Sequence, residues 1–315
     1  MIIHTLPTQQ SPLPHFLTTA APLTREAFAP FGAAVCNPAP DRLPHNTAPS
    51  AVAATLPCGA KSANQGSAIQ YRDLGADVRN LYPGRCSSGA PATPRLTMFV
   101  CGARELRRRR PDSEASREEG GASGSSSSGG GSGGDESFFE VKILERHPFT
   151  TQTFCPLGVD PSGPRRYLVI VAPSLPLPAP PSAPPPSQGG SSGSEGEDSA
   201  ALRQGQGGLP DIRNLRAFVA TGSQAVTYGA GTWHAPMVAL GPAGSAVDFV
   251  VTQFANGVDV EDCQEVVLKR DRGGNEGGHG GGGQQGNDVG DDSSGVWIRI
   301  VDEVDDNTLS RPTKL

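Results

Sequence analysis

Three stretches rich in glycine, serine and proline decide what this chain can fold into, because they hold much of its excess of glycine and proline and leave a remainder of more ordinary composition. Residues 113–137, 173–208 and 271–295 hold 8, 7 and 11 of the 41 glycines. Such segments cannot bury enough apolar area to offset the entropy of ordering them, so they are expected to be disordered. Set aside, they leave 229 of the 315 residues, enough for one core. The middle stretch, with PLPAPPSAPPPSQ, has the composition of a proline-rich linker or an SH3-type ligand, although PxxP matches are nearly unavoidable in it. The expected organisation is a flexible tail over 1–20, one domain over 21–307 interrupted by the three inserts, and a short tail over 308–315.

Between the inserts the chain reads as strands. Residues 95–102, 138–145, 151–157, 167–172, 215–220, 224–228, 247–254 and 296–301 are short, β-branched and aromatic, and are separated by turn-formers such as Gly158, Gly163-Pro164, Gly222 and Gly241-Pro242. Alternation at period two is plain in Val141–Ile143–Glu145 and in Val247–Phe249–Val251. Amphipathic periods of helical length are missing between the strands, which argues against a parallel βαβ sheet. An antiparallel barrel or sandwich follows. Thr24 is a plausible N-cap for a short helix over 25–30, Phe31–Val35 begins a strand, and 37–63 reads as an irregular connection.

Charge and cysteine usage exclude several classes. A net charge of −6 offers no footprint for nucleic acid or anionic lipid. The basic run Arg107–Arg110 is followed at once by acidic residues and reads as a solvated loop. No apolar run reaches the roughly 18 residues of a membrane helix, and the N-terminus lacks the pattern of a secretory signal. The six cysteines include no CxxC, so reduced, mostly buried thiols in a cytoplasmic protein are expected. The terminal Thr313-Lys314-Leu315 is a weak relative of the peroxisomal Ser-Lys-Leu signal.

Of six histidines, His4, His15, His45 and His279 lie in tail or linker sequence. His147, in Glu145-Arg146-His147-Pro148, and His234, in Gly231-Thr232-Trp233-His234-Ala235-Pro236, stand at strand ends. With Glu145 and Gln152 they could ligate a divalent metal. They could equally act as acid, base and orienting groups around a small polar substrate. The plain alternative is that the histidines are satisfied core residues and Gln152 an ordinary polar strand position. Asn64-Gln65-Gly66 could expose backbone N–H groups to an anion, or be an ordinary turn. Arg72, Arg95 and Arg216 are available to hold a carboxylate, and nothing local selects among them.

The run Val141-Lys142-Ile143-Leu144-Glu145-Arg146-His147-Pro148-Phe149-Thr150-Thr151-Gln152-Thr153-Phe154-Cys155-Pro156-Leu157-Gly158 resembles the signature of the ureidoglycolate lyases, once called hydrolases. Tyr167–Ala172, Pro210-Asp211, Leu215–Phe218, Gln224–Met237, Asp248-Phe249, Asp262-Cys263 and, upstream, Ala63–Ile69 resemble the family in the same order. The resemblance covers about Leu23 to Val267 with the inserts left out. It implies a cupin-like antiparallel β-barrel of jelly-roll type, a homodimer, and cleavage of (S)-ureidoglycolate to glyoxylate and urea in purine breakdown through allantoin. It further implies His147, His234 and Glu145 as catalytic residues. Asn64, Gln65, Gly66, Gln152, Arg72, Tyr228 and Trp233 would bind substrate. A divalent metal on His147, His234, Glu145 and Gln152 is open, with no organic cofactor. Gln70 departs from the Lys or Arg of relatives, with Arg72 as the substitute. Other readings are a non-catalytic cupin that binds a small ligand, and an interaction protein used through its inserts. Release of ammonia and carbon dioxide instead of urea is a distinct activity on the same substrate.

Overall fold

A computed structural model describes residues 16–108, 136–176, 207–268 and 295–301, together with the backbone of 2–5. Nearly all of the three inserts, Arg109, Arg110 and the last residues from 302 onward lie outside the described residues. The first segments are β1 (Ile2–Thr5), β2 (Phe16–Thr19), β3 (Ala21–Pro22), α1 (Arg25–Phe28), β4 (Gly32–Cys36), α2 (Pro49–Thr55), β5 (Lys61–Ala63), β6 (Ala68–Gln70) and β7 (Thr93–Gly102). Next come β8 (Glu136–Val141), β9 (Ile143–Arg146), β10 (Gln152–Leu157) and β11 (Arg166–Ala172). The rest are β12 (Arg216–Ala220), β13 (Gln224–Tyr228), β14 (Trp233–His234), β15 (Val238–Leu240), β16 (Ala246–Ala255), α3 (Asp259–Asp262), β17 (Gln264–Val267) and β18 (Val296–Val301).

Apart from the two-stranded β5–β6 sheet, the strands make three layers. An eight-stranded sheet runs β1-β17-β9-β14-β11-β12-β3, with β15 also on β11. A five-stranded sheet, β4-β13-β10-β16-β7, packs on one face of it, and a three-stranded sheet, β2-β18-β8, on the other. Alternate residues of β11 feed the two interiors. Tyr167, Val169 and Val171 join Phe154, Val226, Tyr228, Phe249 and Val251 of the five-stranded sheet. Leu168, Ile170 and Ala172 join Phe139, Val141, Val296, Ile298 and Ile300 of the other. A strand covered on both faces has no need of alternation, which is why Tyr167–Ala172 is an unbroken apolar run.

The strand-dominated, cupin-like fold is as expected, but it is not a closed barrel. The five-stranded sheet ends in β7, exposed from Thr93 to Val100, and β1 and β3 end the eight-stranded one. A central sheet packed on both faces cannot also curl round to meet itself. Three pairings, β1–β17, β12–β3 and β18–β2, are parallel. They involve the first residues of the chain, so part of the stretch read as a tail over 1–20 is strand. The connection over 37–63 likewise contains α2, anchored by buried Val52, and β5. Thr24 caps α1 as expected, its hydroxyl accepting from the Ala27 N–H at 3.2 Å. The cysteines are all free, but five are half-buried and Cys155 is exposed, so the expectation of mostly buried thiols is corrected. Several lie on strands whose outer faces meet solvent.

One glycine fixes how closely two strands approach. Gly32 has φ +145°, and a Cβ there would lie 2.0 Å from the Thr227 carbonyl oxygen. The start of β4 can therefore lie against the end of β13, with the Gly229 N–H donating to the Phe31 carbonyl at 2.8 Å. That contact sets the course of the chain just after Tyr228.

Candidate active site

The chain passes from the three-stranded sheet (β8) through the eight-stranded one (β9) to the five-stranded one (β10) within residues 136–157. The turn between β9 and β10 carries His147. Glu145, on β9, lies directly opposite His234 on β14 in antiparallel register. His147 and His234, 87 positions apart in sequence, therefore meet because β9, which leads into His147, and β14 are neighbours. The two imidazole centroids are 5.6 Å apart, and Tyr228 stacks on His234 at 4.0 Å with an interplanar angle of 11°. His234 Nε2 is 3.4 Å from Glu145 Oε1. One ligand atom from each of Glu145, His147 and His234 lies within 4.8 Å of the others.

Main-chain carbonyls fix both rings. His147 Nδ1 is 2.6 Å from the Asp262 carbonyl oxygen, and His234 Nδ1 is 2.9 Å from that of Thr232. A carbonyl only accepts, so each neutral ring carries its hydrogen on Nδ1 and presents Nε2 as a bare lone pair. Both Nε2 atoms are buried without a hydrogen-bond partner. The Gln152 amide is a third incomplete group. It lies opposite Tyr228 between β10 and β13, its Nε2 donates to Gln253 Oε1 at 2.6 Å, and its Oε1 is buried and unpartnered.

Charge follows from burial and neighbours. Burial alone would raise the Glu145 carboxyl, but contact with His234, the charge of His234 and that of His147 outweigh it and hold the group below its ordinary value. Burial pushes the His147 imidazole down, and the nearby His234 adds to this, with Glu145 and Asp262 offsetting only part. The site thus sets an ionised carboxylate beside a neutral imidazole.

Other expected residues fall elsewhere. Asn64, Gln65 and Gly66 form a 3-10 turn between β5 and β6, with left-handed φ at all three, and Asn64 and Gln65 are exposed. No hydrogen bond or ion pair among the described residues joins this turn to the histidines. Arg72, Arg95 and Arg216 are exposed, and Gln70 lies opposite Lys61. Trp233 precedes His234 on β14 and so occupies the other face. There it packs in the second interior, its Nε1 donating to the Gly208 carbonyl at 3.2 Å and the Arg146 guanidinium 4.5 Å above its ring. Its place is structural. Sequence reasoning missed the Asp262 and Thr232 carbonyls, because any residue can supply a main-chain acceptor. It also missed Gln253, Cys263 and Glu265, the last two within 4.8 Å of a Glu145 oxygen. Arg85 also escaped notice, although its Nη1 is buried and unpartnered.

A cupin-like stack of sheets that brings two buried imidazoles against a carboxylate defines a class of site whose groups can move protons or hold a cation. Comparison narrows the class. A sequence model of the ureidoglycolate lyase family matches residues 16–272, and the chain belongs to that family. It is similar to the ureidoglycolate lyase of Schizosaccharomyces pombe, 37% identical over 130 residues, which are 41% of this chain and 50% of that one. The ureidoglycolate lyase of Saccharomyces cerevisiae is 40% identical over 101 residues, 32% of this chain and 35% of that one. That of Burkholderia mallei is 34% identical over 113 residues, 36% and 42% respectively. The matched part spans half the length of these relatives or less.

Proposed function

We propose that this protein is a ureidoglycolate lyase, releasing glyoxylate and urea from (S)-ureidoglycolate in allantoin and purine catabolism. The observation that carries the reading is the pair of buried, unpartnered imidazole Nε2 atoms beside the Glu145 carboxylate. Ureidoglycolate is a carbinolamine, so its collapse needs a base at the hydroxyl and an acid at the departing nitrogen. His147, neutral and bare at Nε2, takes the hydroxyl proton. The C=O bond of glyoxylate forms as the C–N bond breaks. His234, with Glu145 as its counter-charge when protonated, delivers a proton to the urea nitrogen. Gln152 Oε1 accepts from an N–H of the ureido group.

The same donors fit a divalent cation. Two imidazole nitrogens and a carboxylate are a common set for one, and their Nε2 atoms lack any other partner. His147, His234 and Glu145 would hold it, with Gln152 beside them, and it would polarise the substrate hydroxyl or carboxylate. The assay is glyoxylate and urea release from (S)-ureidoglycolate by purified protein, with and without chelator. Release of urea is expected. Ammonia in place of urea overturns the lyase reading in favour of a hydrolytic activity on the same substrate, and no turnover even with added divalent metal overturns it in favour of a small-ligand-binding cupin.

Two further parts of the reading concern the whole protein. Six free thiols, and no described helix long and apolar enough to cross a membrane, support a cytoplasmic place. Leu96, Met98 and Val100, on the free edge strand β7, are 74%, 59% and 69% exposed, which supports a homodimer that hides this edge. Light scattering should give a dimer mass at micromolar concentration, and Met98→Lys a monomer. A wild-type monomer sinks this part.

A further inference from the structure

A pair of adjacent carboxylates outside the cluster is clasped by a loop that no catalytic step uses. Glu261 is buried at 3% exposure and accepts from the Ser87 hydroxyl at 2.8 Å, the Ser88 N–H at 2.7 Å, the Ser88 hydroxyl at 2.6 Å and the Asn256 amide at 2.7 Å. Asp262 accepts from the Tyr82 hydroxyl at 2.6 Å and from the N–H groups of Asn256 and Gly257, each at 2.8 Å. Seven donors thus converge on two neighbouring residues of α3, and they come from two separate segments, 82–88 and 256–257.

What this clasp holds is the Asp262 carbonyl, the acceptor 2.6 Å from His147 Nδ1. The loop also holds the chain two residues past the histidine. Leu81 donates its N–H to the Phe149 carbonyl at 2.7 Å, and the Tyr82 and Phe149 rings lie 5.4 Å apart. A four-residue helix has too few bonds of its own to hold a carbonyl in place, so its side chains must be tied down from outside.

We propose that Glu261, Asp262 and Tyr82 are positioning residues for His147: through the Asp262 carbonyl they hold its ring in the Nδ1–H tautomer, with Nε2 turned to the reaction. Partners of this kind, one bond removed from the working atom, fix ring orientation and commonly matter 10–100-fold. The catalytic part of the inference rests on the lyase reading, while the tautomer part does not.

The test uses the full chain, labelled with 15N, and reads the His147 ring nitrogens by NMR, with His147→Gln to assign the signals. Wild type should show a single Nδ1–H tautomer. Tyr82→Phe and Glu261→Ala should bring in the Nε2–H form and lower kcat about tenfold or more with KM within about twofold, while Glu261→Gln, which keeps an acceptor for Ser88, should restore part of both. A loss of stability alone would change the melting temperature without changing the tautomer of the folded protein. If Tyr82→Phe, the mildest variant, and Glu261→Gln both leave tautomer and kcat as in wild type, the inference is wrong. It is wrong also if kcat falls with the wild-type tautomer intact. If wild type turns over no ureidoglycolate, the lyase reading fails, and the NMR arm still decides whether the clasp sets the ring.

Discussion

At the scale of single residues, the chemistry rests on atoms that lack partners. His147→Ala and His234→Ala should each lower kcat/KM for ureidoglycolate by about 100-fold or more, the usual worth of a positioned acid or base. Glu145→Gln should weaken turnover as well, because His234 loses its counter-charge; a continuous glyoxylate assay distinguishes all three from wild type. Trp233→Phe should behave differently. It removes the bond to the Gly208 carbonyl and part of the platform under Arg146, so it should cost stability, about 1–3 kcal/mol in denaturant unfolding, with a smaller effect on kcat. The sequence singled out His147, His234 and Glu145, which the structure brings within one cluster, because titratable residues at strand ends are few in this chain; Gln152 lies opposite Tyr228. The same reading misplaced Trp233 because a two-residue strand sends neighbours to opposite faces, and a motif gives no hint which of them looks inward.

At the scale of elements, the differences in exposure are large enough to test. Ile170, on the doubly covered β11, should cost about 2–5 kcal/mol when cut to alanine, whereas Leu96→Ala on β7 should stay within about 0.5 kcal/mol if measured on monomer. Gly32→Ala should destabilise more than its size suggests, since the added carbon meets the Thr227 carbonyl oxygen. The α3 clasp gives a pH dependence. Hydrogen bonds from Ser88 first, then from Asn256, hold the Glu261 carboxyl down at about 2, below the roughly 4.3 of an unfolded glutamate. The folded state therefore binds this proton later than the unfolded one. Its stabilisation is complete above about pH 4.3 and is lost as pH falls from there towards 2. Glu261→Gln should flatten the acid limb of a melting-temperature profile in that window. Most strands were legible from β-branched runs and turn residues. The short β14, β15 and β17 were not, because two to four residues carry too little periodicity to stand out, and β1 to β3 depend on distant partners.

At the scale of the whole molecule, two of the three inserts leave and re-enter the fold at stems that close on themselves. The Arg107 and Phe138 backbones exchange both hydrogen bonds, at 2.9 and 2.7 Å, across residues 109–135. Leu175 donates to the Leu209 carbonyl at 2.8 Å and accepts from Gly208 at 2.9 Å across residues 177–206. Replacing 177–206 by a short Gly-Ser turn should therefore leave the melting temperature within a few degrees of wild type, since loop length enters the stability only logarithmically. A large loss would mean that the insert belongs to the core. The layering itself was hidden in the sequence. A barrel and a three-layer stack draw on the same short strands, and only the unbroken Tyr167–Ala172 run pointed to a strand with two covered faces. That stack also decides what an optical probe can see. The chain has two tryptophans, Trp233 in the interior shared with the three-stranded sheet and Trp297 on that sheet's strand β18, and each lies under an arginine, Arg146 at 4.5 Å and Arg107 at 4.8 Å. Tryptophan fluorescence consequently watches one side of the protein, so opening of the five-stranded sheet, whose interior holds Tyr167 and Tyr228, would go dark to it and needs a reporter placed on β10 or β16.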